Sequence, residues 1–340
     1  MMTENTTLCG LPDELLVEIM QHLSIIRSDK IQSFHFQKFI SRDRESENRA
    51  RQLALYNLCL AYKHVRRIAT PILYSSFTGA ADWNGTQPLK LFHRTLNEHN
   101  VVAGQHFKHA EYLQYVENRA FDGQDIGDSY ADEKDPESAH MLAHYFYLLA
   151  DIVNQAMNIQ NLTVDSLETH KITFWGYILP GYHGITVLAR HAFRKLQTLH
   201  VGLIERATPG HHHITRPFFF LEIATVMTSV PLLSNLQAYG SLGLDVIHDG
   251  VFSGSYQRLQ RLEILDYGED FGIVGQIWSA CEELQHIVCL WAPAIFEAEG
   301  PSALYPALLQ KLDTLETLHL DFCEVHFEDS SIAPECLGTL

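Results

Sequence analysis

This sequence is short of the features that usually announce chemistry. Its six cysteines (Cys9, Cys59, Cys281, Cys289, Cys323 and Cys336) show no paired spacing, so neither a disulfide framework nor a zinc set is indicated. With 46% hydrophobic residues available to build a core, they read as reduced, mostly buried thiols of an intracellular chain. No apolar run reaches the length of a membrane span: Phe218–Leu221 stops at Glu222, and Tyr145–Val153 is broken by Asp151. The opening residues, Met1 to Thr7, lack the basic and apolar regions of a secretory signal, which makes a cytoplasmic or nuclear location, or both, the expectation. A GxSxG elbow, a phosphate loop, a dinucleotide fingerprint and a CxxC pair are all missing. The sequence therefore predicts no enzyme, no catalytic residues and no cofactor.

Positive charge is scarce beyond the first quarter. Residues 1–78 carry 10 lysines and arginines against 8 carboxylates, whereas the remainder carries 14 against 33. So acidic a body repels a phosphate backbone, and nucleic acid is not an expected partner. Three side-chain groups invite metal chemistry, and none meets its requirements. His211-His212-His213, flanked by Pro209-Gly210 and Pro217, reads as loop, and three adjacent imidazoles do not readily converge on one ion. The acidic stretch 121–138 lacks the alternating carboxylates of a calcium loop and reads as a solvated insertion. Glu324, His326 and Glu328 alternate without a third kind of group beside them.

What the chain does have begins at Leu11. From Pro12 to Leu23 it reads as a short helix, with Pro12 suited to the first helical position and Asp13 and Glu14 suited to the positive end of its dipole. At 100° per residue, Leu15, Leu16, Ile19, Met20 and Leu23 share an arc of roughly 140°, a large apolar stripe for so small an element. After a polar gap, Leu58, Tyr62, Val65 and Ala69 follow at i, i+4, i+7 and i+11, the spacing of one helical face. Lys63, Arg66 and Arg67 are expected in the last turns of that helix, with Pro71 as its stop.

This pair of blocks resembles the F-box, a three-helix module that docks a substrate receptor onto a Skp-type adaptor of a cullin–RING ubiquitin ligase. Leu11, Pro12, Glu14, Leu15, Leu16, Ile19 and Leu23 match in the first block. Leu55, Leu58, Lys63, Val65, Arg66, Ile68, Pro71, Leu73 and Tyr74 match in the second. The resemblance implies an F-box-like module over 8–77, with Leu11, Pro12, Leu15, Leu16, Ile19, Met20, Leu23, Leu55, Leu58, Val65, Arg66, Ile68, Pro71 and Leu73 facing the adaptor. One departure is an insertion at 24–50, where F-boxes usually place a handful of residues. Its tail, Glu45–Gln52, is rich in helix formers and is expected to extend the second helix.

The remainder, 78–340, repeats itself. Leu-x-x-Leu-x-Leu recurs with conservative replacements at 159–164, 196–201, 233–238, 259–264, 284–289 and 315–320. The central apolar residues, Leu162, Leu199, Leu236, Leu262, Ile287 and Leu318, are 37, 37, 26, 25 and 31 residues apart. The two shortest spacings lie in the leucine-rich-repeat range. Helices are expected before most of these strands, over His140–Met157, Thr186–Lys195, Phe218–Ser229, Ile273–Glu283 and Ser302–Leu312, with a degenerate first unit of helix Leu89–Glu98 and strand Phe107–Tyr112. The pattern is similar to the irregular leucine-rich repeats joined to F-boxes in fungal-type substrate receptors.

The predicted fold class is α+β or α/β: a helical module, then a solenoid whose curved parallel sheet carries helices on its convex side. Residues between the buried leucines would face the concave side and meet a client protein. They are Asn161, Thr163 and Asp165; Thr198, His200 and Gly202; Asn235, Gln237 and Tyr239; Arg261 and Glu263; His286 and Val288; Thr317, His319 and Asp321. Leu340 follows the last repeat without an obvious polar cap, which leaves open a missing C-terminal portion or a partner over that end. The expected partners are a Skp-type adaptor, through it a cullin, and an unidentified client; the alternative is a repeat scaffold outside any ligase.

Overall fold

The computed structural model describes residues 10–27, 34–80, 86–98, 104–113, 136–167, 174–178, 192–204, 220–239, 252, 254–267, 271–291, 294–296, 301–322 and 325–327. The chain divides into two compact units: Met1–Tyr115 with Gln155–Ile159, and Val116–Asn154 with Gln160–Leu340.

The first unit opens with three helices, α1 (Asp13–Gln21), α2 (Phe34–Ala61) and α3 (Lys63–Leu73). Leu16 and Met20 of α1, Leu55 of α2, and Val65, Ile68 and Ala69 of α3 form one buried cluster. Leu11, Leu23, Leu58, Cys59, Ile72 and Leu73 pack around it, partly buried. After α3 come β1 (Ser76–Ala80), α4 (Thr86–Glu98) and β2 (His109–Leu113). The two strands pair in parallel, Phe77 opposite Ala110, as a crossover through a helix allows. Phe92 of α4 fastens that crossover, its ring 4.9 Å from Phe77 and 5.1 Å from Phe107. The expected first unit of helix and strand is thus present.

Five local expectations for the helices need correction. Pro12 has φ −55° and ψ 150° and stands one residue before α1, not inside it. The second block is two helices: Tyr62 is extended (φ −144°, ψ 139°), so Leu58 lies on α2 while Val65 and Ala69 lie on α3. A period drawn through Tyr62 spans a corner that lets α3 fold back on α2. Lys63, Arg66 and Arg67 consequently occupy the first turns of α3, and Pro71 sits inside it, two residues before its end. A proline so near the terminus forfeits one backbone bond and stops nothing. Most of the 24–50 insertion is helix, because α2 already begins at Phe34.

In the second unit the strands are β3 (Asn161–Leu167), β4 (Thr198–Ile204), β5 (Asn235–Tyr239), β6 (Arg261–Tyr267), β7 (His286–Trp291), β8 (Ala294–Phe296), β9 (Thr317–Asp321) and β10 (Val325–Phe327). The helices are α5 (Pro136–Gln155), α6 (Phe174–Ile178), α7 (Phe220–Met227), α8 (Phe271–Ser279) and α9 (Tyr305–Leu309), the last led in by a 3-10 turn at Pro301–Leu304. Strands β3, β4, β5, β6, β7 and β9 form an open, all-parallel run in chain order, and β8 pairs with β10. This is an α/β arrangement. Of the helix expected at Thr186–Lys195, residues 192–195 form a turn and the rest lie outside the described residues.

The repeat fixes the register. Leu162, Leu199, Leu236, Leu262, Ile287 and Leu318 stand opposite one another, strand by strand. Two residues on, Val164, Val201, Ala238, Ile264, Cys289 and Leu320 do the same. All but Leu318 and Leu320 are buried, since a slip of one residue would turn every one of them to the opposite face. A second ladder precedes the strands. The carbonyl of Gln160 accepts from the amides of Gln197 and Thr198, that of Gln197 from Ser234 and Asn235, and so on through Ser234, Gln260 and Gln285 to Glu316 and Thr317. Each strand is therefore seated on its predecessor before its first ladder residue.

Candidate functional site

Two surfaces carry the residues that the sequence singles out, one in each unit. On the helical module, α1 is apolar over two neighbouring stripes. Leu16 and Met20 are sealed in the three-helix core, at 0% and 1% exposed. Leu15 and Ile19, one helical step away at the same i, i+4 spacing, stand 46% and 42% exposed. The arc of roughly 140° is wider than α3 covers, and its surplus is left on the outside.

The residues expected to face an adaptor accordingly fall into three groups. Leu16, Met20, Leu55, Val65 and Ile68 are interior and hold the module together. Leu11, Leu23, Leu58, Pro71 and Leu73 are partly buried, while Pro12, Leu15, Ile19 and Arg66 are exposed. The sequence reading missed a second apolar face. Leu53, Tyr56 and Leu60 of α2 are exposed at i, i+3 and i+7, with Tyr62 at the corner and Val17 on α1 exposed as well. The helical period was legible there, but the sense of the face was not, because period alone does not say which side is covered.

Charge ties α1 to α3. Asp13 pairs with Arg67 and lies 3.0 Å from Nε2 of His64. That carboxylate offsets a cation placed toward the amino-terminal end of α3, where the dipole disfavours it.

On the sheet, the row between the buried leucines is closed at one end and open at the other. Asn161, Thr163, Thr198, His200, Gln237 and Glu263 are buried, as is Gly202. Asn235, Tyr239, His286, Val288 and Asp321 are half-buried; Arg261, Thr317 and His319 are exposed. The side chain of Asp165 lies outside the described ones. Members of the row bond to one another, both across strands and within β6. Gln237 Nε2 donates to Glu263 Oε2 at 3.0 Å, Arg261 pairs with the other oxygen of Glu263, and His286 Nδ1 is 2.8 Å from Thr317 Oγ1. The polar face is thus stitched sideways from β4 to β6 and again between β7 and β9, and its exposed members lie on β6 and β9. Beside that open end, Glu283, Gln285, Asp313, Thr314, Leu315 and Glu316 line a groove of about 350 Å³.

The buried thiols of the second unit are chemically quiet. Burial pushes the Cys281 thiol up to about 12, against a smaller opposing pull from Lys311, whose ammonium donates to the Cys281 carbonyl. Burial also raises Cys289, and both thiols stay protonated at neutral pH and so are poor nucleophiles. Tyr256 is likewise raised by burial, its hydroxyl donating to the Ala224 carbonyl at 2.5 Å. Among the described residues no group of three His, Cys, Asp or Glu could hold a metal ion, and no helix is long and apolar enough to cross a membrane. His211-His212-His213, Glu324, Glu328 and most of 121–138 lie outside the described residues.

Comparison with known proteins finds no family model and no curated protein that matches the chain.

Proposed function

We propose that this protein is a substrate-recognition subunit of a Skp–cullin–F-box type ubiquitin ligase. In this reading the helical module is an F-box-like domain that grips a Skp-type adaptor, and the parallel-strand body is an irregular leucine-rich-repeat domain that holds a client protein. The observation that carries the reading is the doubled apolar stripe of α1: Leu16 and Met20 are consumed by the module's own core, while Leu15 and Ile19 beside them stay exposed. Exposing large apolar side chains on so short a helix is what a second polypeptide would cover. The adaptor-facing set is then Leu15 and Ile19, with Leu53, Tyr56 and Leu60 of α2 as further contacts and Leu16, Val65 and Ile68 as their support.

The client surface in this reading is the open end of the polar row, Arg261, His286, Thr317 and His319, with the carboxylates of Glu283, Asp313 and Glu316 nearby. A receptor of this kind does no bond chemistry of its own. It raises the effective concentration of client lysines near an activated thioester carried by another subunit. The test is co-expression of the full chain with a Skp-type adaptor and a cullin. Recovery of both on the tagged chain, and loss of both from Leu15→Asp/Ile19→Asp, supports the proposal. Recovery of adaptor without cullin selects the scaffold reading instead, and recovery of neither overturns the docking claim.

A further inference from the structure

Between α1 and α2 the chain is fastened by polar side chains. The Ile26 amide donates to Asn48 Oδ1 at 2.7 Å, and Asn48 Nδ2 donates back to the Ile26 carbonyl at 3.0 Å. Arg44 Nη1 reaches the same carbonyl at 3.2 Å, and Arg51 Nη1 reaches the carbonyl of Ser24 at 3.0 Å. Arg44, Asn48 and Arg51 are spaced i, i+4 and i+7, one stripe of α2. That stripe is anchored on β2: Arg44 Nη1 meets Glu111 Oε1 at 2.6 Å, and the second oxygen of Glu111 is 3.5 Å from His109 Nε2. Arg44 and Glu111 are buried, at 6% and 1% exposed, as are Asn48 and His109.

The buried apolar face of α2 begins, among its described side chains, only at Leu55. One helix is thus seated in two ways: residues 44–52 by charge and hydrogen bonds, and the turns from Leu55 by the three-helix core. A hydrophobic seat yields gradually, whereas a buried ion pair fails abruptly once either partner is neutralised, because the other charge is left stranded.

We propose that the Arg44–Glu111 pair is a latch, holding residues 24–27 and 44–52 together on β2 as one element that can open while the three-helix core stays folded. Residues 24–27 follow closely on α1, so the latch also governs how firmly the carboxyl end of that helix is held. Its bearing on docking rests on the adaptor reading above; its existence does not.

Hydrogen exchange on the full chain tests the latch without any partner. In the unsubstituted protein, the amides of 24–27 and 44–52 are expected to share one protection level, below that of α3. In Glu111→Gln they should exchange about a hundredfold faster or more, with α3 within about twofold of its original rate. Arg44→Met/Glu111→Met, which removes both charges together, should recover most of the protection. Unchanged exchange in Glu111→Gln, or an equal acceleration of α3, would overturn the proposal. If Glu111→Gln does not fold, equal protection of 44–52 and α3 in the unsubstituted protein would overturn it just as well. Because the readout needs no adaptor, failure of the latch leaves the docking proposal untouched, and the converse holds.

Discussion

Leu15 on α1 and Leu262 on β6 are the same residue put to opposite ends. In the sheet, each strand from β3 to β7 supplies apolar residues at two fixed positions, in register with its neighbours, and all of them are buried. In the helical module the apolar residues outnumber the places available inside, so Leu15, Ile19, Leu53, Tyr56 and Leu60 remain outside. A repeating element meets its own needs by adding copies, while a small three-helix cluster that keeps a surplus has reason to be looking outward. The sheet's outer face differs again, since its groups are polar and several bond to one another, from β4 to β6 and between β7 and β9.

Substitutions separate the two regions by the size of their effect. The largest effect is expected from interior leucines: Leu16→Ala or Leu262→Ala should cost about 2–5 kcal/mol in urea unfolding, each acting on its own unit. Gly254→Ala comes next, at about 1–3 kcal/mol, because Gly254 has φ 141° and a Cβ there would stand 2.6 Å from Cγ2 of Thr228. Leu320→Ala, half-open at the last strand of the run, should cost about 1 kcal/mol, less than Leu262→Ala at the equivalent position's neighbour in the repeat. Smallest of all, Leu15→Asp/Ile19→Asp should leave the unfolding free energy within about 0.5 kcal/mol of the parent. If it unfolds the module instead, those side chains belong to the core and the contrast disappears.

The cysteines probe the same distinction chemically. At pH 8 an alkylating reagent followed by mass spectrometry should label the half-buried Cys59 well before Cys281 and Cys289. The sign with pH follows from the raised Cys281 thiol. Below about 9, its value when unfolded, the thiol is neutral in both states and its contribution is fully present; as pH rises toward about 12 the unfolded chain ionises first and stability falls. Urea midpoints that rise between pH 9 and pH 11 would contradict that account.

How far the sequence could be read differs by region for a physical reason. A parallel repeat of Leu-x-x-Leu-x-Leu pins its own register, so the pairing of Leu162 with Leu199 and onward to Leu318 was legible from spacing alone. The carbonyl ladder at Gln160, Gln197, Ser234, Gln260 and Gln285 was not, because backbone bonds leave no mark on residue type. In the helical module, spacing carried the reading through Tyr62, where the backbone is extended, and so merged α2 with α3. Spacing also could not divide the α1 stripe into Leu16 inside and Leu15 outside, which only the placement of α3 decides. The buried Arg44 and Asn48 gave no signal at all, since a charged stretch shows no apolar period.

Whether α1 docks an adaptor is decided by titration calorimetry of a purified Skp-type adaptor into the full chain and into Leu15→Asp/Ile19→Asp, with urea midpoints measured on the same samples. Saturable binding to the parent and at least about a hundredfold weaker binding to the variant, at equal stability, are expected. Equal affinity for both chains, or no binding to the parent, would contradict docking through α1.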